Sequence, residues 1–287
     1  LGGGVVACEL AQYLQRAGSR VTLIQRSAHI LKEYDEAAAR VVETAFRDEG
    51  MEVFTSTHLE NISPTASGGA HATFMHDGRR VTREAAALFN ALGRRPATAG
   101  MGLEAAGVAL APSGHVVVDE YQRTRNPAIF AGGDCTGPHE IVHIAILQGE
   151  LGARHALGLP ATPVNYDHLV KIVFTDPQVA TAGLAERELR ARGVPFVTAS
   201  YPFDDHGKSI LMEAKRGYVK IFARKPDGLL LGAECVGRDA SELIHALAVV
   251  LPLSANVQDL LRAHWYHPTL SEIWTYPIEE CAGQLNS

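Results

Sequence analysis

Leu1-Gly2-Gly3-Gly4-Val5-Val6-Ala7-Cys8-Glu9 is the stretch from which the fold is read, because it spells G-x-G-x-x-A at Gly2, Gly4 and Ala7. A helical pattern follows through Leu10, Tyr13 and Leu14 and stops at Gly18. In a dinucleotide-binding unit the first glycine makes the tight turn, the second lets a pyrophosphate approach the backbone, and the small third residue lets the helix pack on the sheet. Free N–H groups and the helix dipole then favour the anion at the helix N-terminus. A strand should lead into these glycines. Leu1 alone precedes them, so the sequence reads as a fragment of a longer protein.

Beyond Gly18, Arg20-Val21-Thr22-Leu23-Ile24-Gln25 is apolar and β-branched, the second strand of a βαβ unit. Gln25 falls about 20 residues beyond the glycines, where an acidic residue would hold a ribose hydroxyl. Gln25 followed by Arg26, with Lys32 further on, suits a 2′-phosphate better, so NADP is expected, with NAD as the alternative. The bland reading makes Arg26 and Lys32 ordinary solvated charges.

Glu36 to Arg47 reads as a helix, and Met51 to Val81 as short strands broken at Ser63–Gly69 and at the hairpin signal Asp77-Gly78. This domain is expected to end near Gly93, and Pro160 to Pro163 marks a second boundary. Further on, Gly217–Ala223, Asp227-Gly228 and Leu229–Val236 read as an antiparallel hairpin, followed by a helix from Asp239 to Val250. The pattern predicts an α/β Rossmann-like nucleotide-binding domain plus an α+β domain with an antiparallel sheet.

Composition narrows the function. The 287 residues are 46% hydrophobic and 20% charged, with 26 basic against 32 acidic side chains for a net charge of −6, which describes a folded chain. No apolar run approaches the roughly 20 residues of a membrane helix. Basic clusters such as Gly93-Arg94-Arg95 are too short to track a phosphate backbone, so neither membrane nor nucleic acid is an expected partner. Cys8, Cys135, Cys235 and Cys281 lie far apart without a C-x-x-C pair, which argues for a reducing compartment, the cytoplasm by default.

Two local strings carry rival chemistry. His139-Glu140-Ile141-Val142-His143 spells H-E-x-x-H, which on a helix would offer two zinc ligands, but a third ligand could only be Glu150 or His155 and no metal is expected. Thr269-Leu270-Ser271-Glu272 fits a capping box, in which Glu272 returns to the Thr269 backbone and does no chemistry.

Four segments, in order and across nearly the whole chain, resemble the pyridine nucleotide-disulfide oxidoreductases. They are the Gly2-to-Glu9 fingerprint; Ala91-Leu92-Gly93-Arg94-Arg95-Pro96, similar to A-x-G-R-x-P; Thr124-Arg-Asn-Pro-Ala-Ile-Phe-Ala-Gly-Gly-Asp134, similar to the second flavin-binding motif; and His267-Pro268-Thr269-Leu270-Ser271-Glu272, similar to H-P-T-x-x-E. The resemblance implies three parts: residues 1–93 binding NAD(P), 94–162 belonging to a flavin domain, and 163–287 forming a dimerisation domain. It implies FAD, with Asp134 on a ribityl hydroxyl, Gly93 at the return to the flavin domain, and the amides of Ile141 and Val142 at the start of a helix from Glu140 facing the flavin ring. Glu9 would lie near the nicotinamide. His267 would be the acid–base residue oriented by Glu272, acting in a homodimer on a small-molecule or protein disulfide.

The chain lacks the family's N-terminal flavin fingerprint and C-x-x-x-x-C pair, so by itself it is expected not to reduce disulfides. Its tail also lacks the paired terminal cysteines that resemblance to the mercury-reducing branch would require. A noncatalytic nucleotide-binding and dimerisation fragment, and a soluble pyridine nucleotide transhydrogenase, stand as alternatives.

Overall fold

The computed structural model describes residues 1–286 and divides into two compact units, Leu1–Leu92 with Asp167–Ser287, and Gly93–Tyr166. In the first unit, α1 (Val5–Arg16) starts directly from the glycine turn, and its buried Ala7, Cys8 and Ala11 lie on one face at helical spacing. β1 (Thr22–Ile24) pairs in parallel with β2 (Glu52–Phe54), and α2 (Glu36–Asp48) crosses between them. Leu1 and Gly2 run alongside: the Gly2 N–H donates to the Ile24 carbonyl at 3.0 Å and the Ala91 N–H to the Leu1 carbonyl at 2.9 Å. The carboxylate of Glu43 is wholly buried on α2, where it accepts from the Ile30 N–H at 3.0 Å and from Arg40 at 2.8 Å. β3 (His58–Pro64), β4 (Ala70–His76) and β5 (Arg79–Ala85) form an antiparallel meander. The predicted turn at Asp77-Gly78 joins β4 to β5, with both residues at positive φ as a two-residue hairpin loop requires.

The second unit is irregular chain with isolated bridges and one α-helix, α3 (Val142–Ala156). The helix expected from Glu140 begins two residues later because Ile141 is extended, at φ −133° and ψ 133°. His139 therefore lies outside the helix, and the two histidines of H-E-x-x-H do not share a helical face.

The first unit resumes with β6 (Val170–Val173), β7 (Gln178–Gly183), α4 (Glu186–Ala191), β8 (Phe196–Pro202), α5 (Gly207–Leu211), β9 (Tyr218–Arg224) and β10 (Leu230–Gly237). These strands make a five-stranded antiparallel sheet in the order β6-β7-β10-β9-β8. The helix predicted from Asp239 to Val250 is broken into α6 (Ala240–Leu243) and α7 (His245–Ala248). Bonds from Leu247 N–H to the Ile244 carbonyl and from Val250 N–H to the Leu247 carbonyl are three-residue steps that tighten the chain. Leu243, Ile244, Leu247 and Leu251 stay buried, so the apolar periodicity could not reveal the break. α8 (Val257–Leu261), a 3-10 turn at Ser271–Trp274 and α9 (Thr275–Leu285) complete the chain.

One core packs around the fully buried Trp274, between the antiparallel sheet and the C-terminal helices. A second joins Cys8, Leu23, Leu31, Val42 and Phe46 to Val173, Val179 and Val236, so the parallel and antiparallel parts of this unit share buried apolar surface. Polar ties reinforce the seam: Gln12, 4% exposed, donates to the Asp176 carbonyl at 2.8 Å and accepts from the Asp176 N–H at 2.7 Å. Among the described residues no helix is long and apolar enough to cross a membrane.

Candidate functional site

At the glycine turn, Gly2 adopts φ 111°, and a Cβ there would overlap the carbonyl oxygen of Ala91. Gly4 is the opposite case: it caps α1 in extended geometry, at φ −78° and ψ −174°, and no atom lies within 4 Å of where a Cβ would stand. α1 has neither a side-chain cap nor an acidic residue in its first turn, so its leading N–H groups face that open space. An uncapped helix start behind an unobstructed glycine is a fit for a pyrophosphate.

Ala7 is buried, and the Gln25 side chain, 9% exposed, packs beside Gly3 while its Oε1 accepts from the Arg26 N–H at 3.1 Å. Gly2, Gly4, Ala7 and Gln25 thus converge at one turn. Arg26 and Lys32 lie exposed on the loop after β1; Arg26 forms no ion pair among the described residues, and Lys32 lies 3.7 Å from Glu33. Glu9 points elsewhere, accepting from the Phe174 N–H at 2.8 Å and tying α1 to the antiparallel part.

In the Gly93–Tyr166 unit, Gly93 turns at φ 124° and the next residue, Arg94, pairs with Asp134 at 3.2 Å and with Glu140 at 2.7 Å. Asp134 opens a single 3-10 turn after Gly133, whose N–H is held at 2.7 Å by Oε1 of Gln148 on α3. Gln148, 2% exposed, also donates to the Tyr166 hydroxyl at 2.7 Å, so a buried amide fixes the loop that carries Asp134. The side chains of Arg94 and Asp134 are 54% and 55% exposed, and such a pair is worth at most about 1 kcal/mol, so a hydroxyl donor can displace the guanidinium. Ile141 caps α3 and Val142 begins it, again without a side-chain cap or an acidic residue in the first turn. Asp134 as an available acceptor and the uncapped start of α3 fit a flavin nucleotide's hydroxyls and electron-rich ring edge. Sequence reasoning quoted Arg94 and Asp134 in separate motifs but not their pairing, and it missed Gln148 altogether.

At the C-terminal end, Nδ1 of His267 lies 3.0 and 2.9 Å from the two Glu272 oxygens. The His267 side chain is 80% exposed and that of Glu272 13%, so a sheltered carboxylate holds a solvent-facing imidazole. The capping box is half formed: the Glu272 N–H reaches Thr269 Oγ1 at 3.3 Å, but the carboxylate turns to His267. The reason is register. The 3-10 turn begins at Ser271 with a helical Leu270 as its cap, which puts Glu272 at the second position, not the third that a capping box uses. A second imidazole, His206, which no motif marks, lies 3.4 Å from Glu272 Oε1.

The four cysteines are free thiols. Burial, with neighbouring carboxylates, pushes the Cys8, Cys235 and Cys281 thiols up, Cys281 to about 12, while Cys135 is half-buried. No group of three or more His, Cys, Asp or Glu side chains among the described residues is disposed to hold a metal ion.

The glycine-turn βαβ start, sharing a core with an antiparallel-sheet domain that carries an exposed His–Glu pair, defines a two-part nucleotide-binding protein. Comparison with known proteins sharpens this class. The pyridine nucleotide-disulphide oxidoreductase profile matches residues 1–149, and the dimerisation domain of the same family matches residues 169–277. The chain belongs to the pyridine nucleotide-disulphide oxidoreductase family. It is 37% identical over 271 residues to a mercuric reductase of Streptomyces lividans, covering 94% of this chain and 56% of that protein. It is 30% identical over 283 residues to a dihydrolipoyl dehydrogenase of Geobacillus stearothermophilus, covering 99% of this chain and 60% of that protein. The crystal structure of LpdA from Mycobacterium tuberculosis superposes with a TM-score of 0.87 at 31% identity, over 97% of this chain and 60% of that one. The chain thus spans somewhat over half the length of the curated relatives it matches.

Proposed function

We propose that this chain contributes the NADPH site, part of the FAD site and the acid–base pair of a flavin-dependent NAD(P)H oxidoreductase that delivers electrons to a disulfide. The observation that carries the reading is the His267–Glu272 pair, Nδ1 to carboxylate at 2.9 Å with the imidazole exposed, in a chain that also presents an open glycine turn. With Nδ1–H bound to the carboxylate, the Nε2 lone pair faces outward, where it takes the proton of an attacking thiol and returns it to a leaving thiolate. Glu272 orients the ring and offsets the charge it gains. FAD, when bound, accepts hydride from the nicotinamide and passes two electrons on.

The first N–H groups of α1 hold the pyrophosphate above Gly4, and Ala7 keeps the helix close to the sheet. Gln25 leaves a ribose phosphate unopposed, and Arg26 and Lys32 supply its positive partners. Gly93 and Arg94 bring the chain to Asp134, which accepts from a ribityl hydroxyl once Arg94 yields. The N–H groups of Ile141 and Val142 face the flavin's electron-rich edge, and Glu9 lies toward the nicotinamide when its bond to Phe174 opens. Three parts divide this work: 1–93, 94–162 and 163–287. The last pairs two chains as a homodimer, for which the exposed Leu211, Leu253 and Tyr266 and the dimerisation-domain match are support.

The test is a binding titration of the purified chain with NADPH, NADH and FAD, followed by calorimetry and flavin fluorescence. The reading expects NADPH to bind about tenfold or more tightly than NADH and FAD fluorescence to be quenched in wild type but less so in Asp134→Ala. A chain that binds neither nucleotide overturns it.

A further inference from the structure

Glu272 faces two imidazoles, and only His267 belongs to the motif that singled the carboxylate out. The other, His206, precedes α5, is 1% exposed, and meets the fully buried Ser209 hydroxyl at 2.7 Å through Nδ1. Its Nε2 has no hydrogen-bond partner among the described residues and makes a polar approach to Glu272 Oε1 at 3.4 Å, close enough for a small rotation to close a bond. Tyr276 closes the pocket edge-on to the His206 ring at 6.2 Å and stacks on Tyr201 at 3.9 Å, whose hydroxyl donates to Asp205 at 2.8 Å.

Glu272 and His267 are the titratable groups that act on His206. Burial holds His206 below the ordinary histidine range, opposed by the neighbouring Glu272 carboxylate, so the ring is neutral and carries one N–H. Its placement follows from the neighbours. With the proton on Nδ1, the Nε2 lone pair would stand against a carboxylate in a dry pocket. With the Ser209 hydroxyl donating to Nδ1, the N–H sits on Nε2, the nitrogen that lies 3.4 Å from Glu272 Oε1.

We propose that His206 is a positioning residue: its Nε2–H, set by Ser209, anchors the Glu272 carboxylate so that His267 is held with its proton on Nδ1 and its Nε2 lone pair outward. The inference rests on the acid–base role proposed for His267 only for its chemical purpose; the arrangement itself is measurable in the unliganded chain. Without the anchor, Oε1 of Glu272 keeps only the exposed His267 ring, at 3.0 Å, as a donor, and the carboxylate is no longer held from its sheltered side. Glu272 then leaves His267 free to choose its tautomer.

The experiment is nitrogen-15 NMR of histidine-labelled full chain at a pH where His267 is neutral, reading the Nδ1 and Nε2 shifts that report which nitrogen carries the proton. In wild type His267 should be predominantly the Nδ1–H form. In His206→Leu, and in Ser209→Ala, which removes one hydroxyl and little volume, the Nε2–H form should become the major one. His206→Gln, which can place an amide N–H near the same point, should restore the wild-type pattern. In Glu272→Gln, adding His206→Leu should change nothing further. A wild-type His267 already in the Nε2–H form, or one whose tautomer ignores both the His206 and Ser209 changes, overturns the proposal. Nucleotide and flavin binding are read separately, so a chain that binds neither refutes the proposed function and leaves the tautomer result standing.

Discussion

Two glycines of one motif should fail in different ways. Gly2 sits at φ 111° with the Ala91 carbonyl where a Cβ would stand, whereas Gly4 sits at φ −78° facing open space. In Gly2→Ala the backbone conformation costs about 1–3 kcal/mol, and relieving the overlap means pulling Ala91 from its bond to Leu1, for a total of roughly 2–4 kcal/mol. In a chain of 287 residues that lowers Tm by about 3–7 °C. Gly4→Ala costs about 0.5–1 kcal/mol as a poorer helix cap and regains about as much from a less flexible unfolded chain, so Tm stays nearly unchanged. Its methyl group instead occupies the space proposed for the pyrophosphate. Losing one or two charge-assisted bonds there weakens NADPH about 10- to 100-fold. Thermal unfolding by circular dichroism and NADPH titration by calorimetry measure both quantities on both variants. Gly4→Ala binding NADPH within a factor of about three of wild type, or unfolding as early as Gly2→Ala, would refute this division of roles between the two glycines.

Further outcomes are expected. Arg26→Ala should weaken NADPH about tenfold while leaving NADH unchanged, and equal losses for both nucleotides would remove the 2′-phosphate role. Glu234, buried beneath Tyr218, has its carboxyl raised from 4.5 to about 7 chiefly by burial. The folded state therefore keeps a proton that the unfolded chain releases, and stability falls as pH rises from about 4.5 to about 7 and levels off above. Glu234→Gln, which still accepts from the Tyr218 hydroxyl, should gain on wild type across that window by roughly 3 kcal/mol; urea midpoints at pH 4.5 and pH 8 that shift equally would contradict it. An aromatic disulfide reagent should titrate one thiol quickly in the native chain, Cys135, and the other three only after unfolding, because Cys8, Cys235 and Cys281 are buried; two fast thiols would count against this packing.

How far the sequence could be read follows from the range over which each cause acts. The turn at Gly2 and Gly4, the Asp77-Gly78 hairpin and the antiparallel pair β9–β10 are set by residues within a few positions of one another, and each string was legible. The break after Leu243 was not, because apolar residues three or four apart fit an α-helix and tightened 3-10 steps equally well. Contacts made by folding were out of reach as well. Gln12 on Asp176, Glu9 on the Phe174 amide, and Arg94 between Asp134 and Glu140 each join side chains whose strings carry no sign of the partner.

Glu272 shows the limit most sharply. The local string offers its carboxylate two partners, the Thr269 backbone and the His267 ring, and both satisfy the spacing. Only the register of the 3-10 turn, one residue off that of a capping box, sends it to His267. A third neighbour, His206, arrives from the start of α5, its ring buried to 1% exposure and 3.4 Å from Oε1. A motif can therefore name the carboxylate while leaving out the group that holds it still. A search for buried histidines whose free nitrogen faces a motif carboxylate would find such groups, and it requires the folded chain.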